Sequence, residues 1–136
     1  MNLSPRQLDA LEHIADHCRK AAQLVSQLQS LDRLSADWKA EYALMRCVEV
    51  IGEAATRLGP QFHAEHPEIP WRLVVEMRNQ LVHGYDKVDD PTLWQTASED
   101  LPELSRQIVR IQEAILPAYL RQPEPPPENP ELRQGL

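Results

Sequence analysis

The chain has 136 residues and a mass of 15.6 kDa, the size of one domain around one hydrophobic core. With 42% hydrophobic and 26% charged residues it has the composition of an ordinary globular protein; its 4 glycines argue against a turn-rich all-β fold, and 5% aromatics leave the core to aliphatic side chains. A net charge of −7 excludes broad electrostatic binding of nucleic acid, and the absence of a ~20-residue apolar run or a basic-then-apolar leader makes the cytoplasm the expected compartment.

Ser4-Pro5-Arg6-Gln7 reads as a capping box with Pro at the first helical position, and it opens the first predicted helix. Leu8, Leu11, Ala15, Cys18, Ala22, Val25 and Leu28 follow at three- and four-residue steps, an apolar seam that fades near Leu31. His13 and His17 are four apart with Asp16 beside them; without a third ligand they read as a solvated face, not a metal site. A second helix is expected from Ser35 to Leu58, stopped by Gly59-Pro60, with Tyr42, Met45, Val48, Ile51, Ala55 and Leu58 as apolar positions. Gly52 in its middle costs about 1 kcal/mol relative to Ala, and close approach of a neighbouring backbone is the expected return.

Residues 60–70, with Pro60, Pro67 and Pro70, read as a loop in which His63 and His66 are again solvated. Pro70 starts a third helix, Trp71 to about His83, ahead of Gly84. Asp90-Pro91 marks the cap and first position of a fourth, where Trp94, Ala97, Leu101, Leu104, Ile108, Ile111 and Ile115 keep the helical rhythm and Pro102 imposes a kink or a division. Nothing reads as a strand. The predicted fold is all-α, an antiparallel bundle of four long helices spanning residues 1–121, followed by a Pro-rich, disordered tail at 122–136. The tail carries a net −2, so −5 remains on the helical domain. Cys18 and Cys47 lie on apolar stripes and read as buried thiols in a reducing compartment. The first and last seams suit helix pairing, within a monomer or across a dimer.

Gly-rich phosphate loops, a Gly-x-Ser-x-Gly elbow and His-Glu-x-x-His are all missing. One segment stands apart: Arg78-Asn79-Gln80-Leu81-Val82-His83-Gly84-Tyr85 places a fixed cation, an amide, an imidazole and a phenol within eight residues. Arg is a planar fork suited to phosphate, and His exchanges protons near neutral pH. Together they suffice for RNA cleavage without metal: a base takes the ribose 2′-OH proton, the oxygen attacks phosphorus, and the cation stabilises the developing charge. Acid–base help is worth ~10²–10⁴ in rate and an aimed donor on the order of 3 kcal/mol. On an ideal helix, at about 100° per residue, Arg78 and His83 stand about 140° apart. Either the helix distorts before Gly84 or the site joins two chains. A plainer alternative stays open, in which Arg78 bridges to Glu49, Glu53 or Glu76 and His83 faces a helix dipole.

Arg78-Asn79-x-x-x-His83-x-Tyr85 resembles the Arg-x4-His-x-Tyr signature of HEPN-domain ribonuclease toxins, specifically the HepT-like branch. Ile51-Gly52-Glu53-Ala54-Ala55 resembles that branch's Gly-Glu-Ala segment, Pro67-Glu68-Ile69-Pro70-Trp71-Arg72 its Pro-x-Ile-Pro-Trp opening of the third helix, and Asp100-Leu101-Pro102-x-Leu104 its fourth-helix pattern. The likeness runs in order over about residues 4–120, and the Pro-rich tail lies outside it.

The resemblance implies a HEPN-like homodimer with Arg and His of both chains in one interface cleft. It would be a metal-independent endoribonuclease leaving 2′,3′-cyclic phosphate ends, the toxin of a type VII toxin–antitoxin system. His83 would transfer the proton, Arg78 would hold the phosphate and the transition state, and Asn79 would orient the phosphate. Glu53 would support Arg78 or only pack. The implied partner is a minimal nucleotidyltransferase antitoxin that uses ATP to transfer AMP to Tyr85; this chain itself would hold no cofactor or metal. The competing reading is a non-catalytic helical subunit that docks such a nucleotidyltransferase, which the acidic charge favours.

Overall fold

The structure is a computed structural model that describes residues 2–83 and 87–116, with the backbone alone at 82 and 83. Gly84, Tyr85 and the tail at 122–136 therefore lie outside the described residues. In chain order the elements are α1 Pro5–Leu28, α2 Leu31–Ser35, α3 Trp38–Glu65 and α4 Trp71–Glu76. A 3₁₀ turn (Met77–Gln80), two short strands (β1 Val82–His83 and β2 Lys87–Val88), α5 Asp90–Gln95, a π turn (Thr96–Asp100) and α6 Leu101–Ile115 follow. The architecture is all-α, as expected, with α1, α3 and α6 as its long members. Among the described residues no helix is long and apolar enough to cross a membrane.

The capping box forms as read. Ser4 N–H donates to Gln7 Oε1 at 3.0 Å and Gln7 N–H to Ser4 Oγ at 3.1 Å. The buried face of α1 is Ala10, Leu11, Ile14, Cys18, Ala21 and Leu28, so the seam is rotated from the predicted one: Leu8 is 45% exposed and Ile14 is sealed. Gln29 ends α1 in the left-handed region at φ 71°. The second predicted helix starts later than Ser35. Ser35 closes α2, capped by Ser30, and Asp37 caps α3 by accepting from Ala40 N–H at 3.1 Å.

Residues 60–65 are helical, not loop. Gly59 takes φ 86° and ψ 163°, which breaks the helix axis, and Pro60, which needs no N–H donor at a first-turn position, lets a new turn begin. Two carbonyls near this kink meet side-chain donors: His63 Nε2 donates to Ala55 O at 2.8 Å and Gln7 Nε2 to Leu58 O at 3.0 Å.

The fourth predicted helix opens one residue early, with Asp89 as its cap accepting from Thr92 N–H at 3.1 Å. It divides into α5 and α6 around the π turn, which ends two residues before Pro102. Proline lacks the N–H for the Ser98 carbonyl and its ring crowds that carbonyl, so the helix widens there. Leu93, Ala97, Leu101, Leu104, Ile108 and Ile111 face the core together with Leu11, Ile14, Leu44, Val48, Ile51 and Leu58. This interior is aliphatic, with Phe62 and Trp71 at one end. Cys18 and Cys47 are free, buried thiols, and burial pushes Cys18 up to about 12.

Candidate active site

The elements around Arg78 are placed by α3. Gly52 is fully packed beneath α4: a Cβ there would stand 3.3 Å from Val75 O and 3.5 Å from Val74 O. The expected backbone approach is therefore present, and the backbone that approaches is the one leading into Arg78. At its start α4 is pinned by Trp71, whose ring stacks on His63 at 4.6 Å and 9° and whose Nε1 donates to His66 O at 2.9 Å. His63 and His66 are thus not a solvated pair; they hold the opening of α4. His13 instead pairs with Asp9 on α1 at 3.2 Å, and His17 Nδ1 lies 2.8 Å from His13 O. Among the described residues no three His, Cys, Asp or Glu side chains converge on a common point.

The third predicted helix does not reach His83. It tightens to a 3₁₀ turn at Met77 and ends at Gln80. Buried Trp71, Val74, Met77 and Leu81 follow at steps of three, three and four, which a 3.0-residue turn serves as well as an α-turn. β-branched Val82 and Val88 then pair in an antiparallel ladder, with His83 opposite Lys87. Leu81 N–H donates to Arg78 O at 3.1 Å, and Asp89 N–H to Leu81 O at 2.7 Å, so the hairpin is tied at its base. The 140° separation of an ideal helix no longer applies, because the backbone changes conformation between the two residues.

Arg78 and Asn79 are exposed on this turn. Among the described residues Arg78 makes no ion pair: Glu49 is bound by Arg46 at 3.5 Å, Glu76 by Arg72 at 3.7 Å, and Glu53 is exposed and does not reach Arg78. Neither the predicted bridges nor support from Glu53 is present in the single chain. Lys87, across the ladder from His83, adds a second exposed cation.

On the other side of α4 lies a groove of about 270 Å³ with Leu73, Met77 and Gln80 on one wall and Glu99, Asp100 and Glu103 on the other. Burial and then the neighbouring Glu99 raise the Asp100 carboxyl above its ordinary range. The rest of its lining is mostly apolar, including Pro70, Val74, Leu101 and Leu104, and its charged side chains are carboxylates, so it is unsuited to phosphate.

Trp38 and Tyr42 were not legible as surface features. Tyr42, expected among the apolar positions of the second predicted helix, is at the surface of α3 with Trp38: both are 64% exposed and their rings meet edge-to-face at 5.5 Å. Their four-residue spacing was the available signal.

The family model described as "Ribonuclease HepT-like" matches residues 14–111. The chain is 37% identical over 103 residues to "Probable ribonuclease HepT" of Thermococcus cleftensis, covering 76% of this chain and 93% of that protein. It is 33% identical over 101 residues to "Putative RNase TTE0752" of Caldanaerobacter subterraneus subsp. tengcongensis, covering 74% and 89%. No solved structure matches it.

Proposed function

Because the chain belongs to the HepT-like ribonuclease family, we propose that it is a metal-independent endoribonuclease, the toxin of a type VII toxin–antitoxin pair, working as a homodimer. The observation that carries this reading is the exposed guanidinium of Arg78, unbridged among the described residues, on a 3₁₀ turn that gives way to extended backbone before His83. A guanidinium that none of Glu49, Glu53 and Glu76 engages keeps its N–H donors open for an incoming phosphate.

The chemistry follows from the residue types. His83 accepts the ribose 2′-OH proton as the 2′ oxygen forms its bond to phosphorus. The bond to the 5′ oxygen breaks, a proton goes to that leaving oxygen, and the products are a 2′,3′-cyclic phosphate and a 5′-hydroxyl. Arg78 binds the non-bridging oxygens more strongly as their charge grows, and Asn79 orients them. The two sites of a dimer would supply cations from both copies, which offsets the net −7 locally. The proposed antitoxin is a nucleotidyltransferase that attaches AMP to Tyr85; a phosphate held there competes with RNA for Arg78. No metal or cofactor belongs to this chain in the proposal, and ATP is the antitoxin's substrate.

The net negative charge favours a second reading, a docking subunit without nuclease activity. Expression of the chain alone separates the two. The proposal predicts growth arrest and cut cellular RNA, both lost in Arg78→Ala and in His83→Ala. A harmless wild-type protein with intact RNA supports the docking subunit.

A further inference from the structure

We propose that Trp38 and Tyr42 form a stacking subsite for bases of single-stranded RNA, beside the Arg78 turn; the inference rests on the ribonuclease reading above. Four contacts fix the placement. Trp71 stacks on His63, Val74 and Val75 lie over Gly52, and α5 packs on α3 with the Asp90 carboxyl near that of Glu41. The chain from Trp71 to Asp90 therefore runs antiparallel to α3, and Arg78 falls between the levels of Gly52 and Glu41. At about 1.5 Å per residue Tyr42 lies about 15 Å along α3 from Gly52. At about 100° per residue Trp38 and Tyr42 point about 40° and 80° round from Gly52. They border the side of α3 against which α4 packs.

The chemistry of the pair selects the occupant. Two large aromatic rings, each 64% exposed, meet edge-to-face, which covers one face of one ring and leaves the remaining π surface of the pair open. Lys39 Nζ lies over the Trp38 ring, 5.8 Å from its centre, so a base stacking on that face displaces the flexible ammonium toward the base's own phosphate. Exposed Arg46 follows one turn after Tyr42, balanced by Glu49. Stacking asks for no net positive field, which is what an acidic nuclease needs: the aromatics hold the bases while Arg78 takes one phosphate.

The test measures binding of a fluorescently labelled single-stranded oligoribonucleotide, and of an abasic oligomer of the same length, by anisotropy in a His83→Ala background. Trp38→Ala/Tyr42→Ala is expected to weaken binding of the base-bearing strand by about ten-fold or more and to leave the abasic strand unaffected. Trp38→Phe should restore most of the loss. Equal affinity for the base-bearing strand with and without the two rings overturns the proposal, as does an equal loss on both strands. A change in subunit number on sedimentation of the double variant also overturns it, since the face is then an interface between copies. Wild-type protein that binds through the rings but cuts nothing would remove the ribonuclease reading and leave this one standing; wild-type protein that cuts RNA and binds it without the rings does the reverse.

Discussion

Gly52→Ala tests whether the packing of α3 on α4 positions the candidate site. On an exposed helix this change gains about 1 kcal/mol from propensity alone. Here the new methyl carbon would lie 3.3 Å from Val75 O, tighter than an ordinary contact, and 3.5 Å from Val74 O, an ordinary one, and both atoms belong to the backbone. Relief requires α4 to move by a few tenths of an ångström. Overpacking of this kind costs about 1–3 kcal/mol, so the net expectation is a loss of about 0–2 kcal/mol. The larger effect falls on activity, because Arg78 follows Val75 by only three residues. If a misplacement of about 1 Å costs ~10² in rate, the smaller shift here should cost several-fold. Urea melts and single-turnover cleavage of a defined oligoribonucleotide measure the two consequences. An alanine variant that is more stable by the full propensity gain and cuts at the wild-type rate would refute the reasoning.

Two further predictions follow from charge. The hydrogen bond to Asp90, burial and the Asp90 charge push the Glu41 carboxyl up from 4.5 to about 7. The folded chain then binds this proton more tightly than the unfolded one, so the contribution to stability is full below about pH 4.5 and is lost as pH rises through about 7. Thermal melts should show wild type losing stability relative to Glu41→Gln over that interval; identical pH profiles would contradict the shared proton. For Tyr85, intact-mass measurement after incubation with the cognate nucleotidyltransferase and ATP should show a gain of whole AMP units on wild type and none on Tyr85→Phe. A gain that survives the substitution moves the modification elsewhere.

The signals that could be read from sequence were local and unambiguous. The capping box closes between Ser4 and Gln7, three residues apart, and the seam from Ala97 to Ile111 repeats often enough to fix one face of a helix. Gly52 was legible because a glycine in mid-helix needs a close neighbour, although which neighbour depended on tertiary packing. The breaks were harder. Gly59-Pro60 stops a helix and starts one equally well, and only the chain direction beyond it decides. The apolar steps at Val74, Met77 and Leu81 suit both α and 3₁₀ geometry, so the end of α4 could not be placed. Of the site, residue types and order were readable, while the freedom of Arg78 from Glu49, Glu53 and Glu76 was not, because it depends on which cations those carboxylates meet. Tyr42 misled because the apolar stripe is wide enough to include its position at the rim.

The most direct measurement is end-group analysis of a defined oligoribonucleotide incubated with purified protein in EDTA, beside the same strand bearing a single 2′-deoxy residue at the cut position. The proposed chemistry predicts a 2′,3′-cyclic phosphate on the normal strand, no cut at the deoxy position, and a rate lower by ~10²–10⁴ in His83→Ala. Cleavage of the deoxy strand, or an unchanged rate without His83, would contradict it.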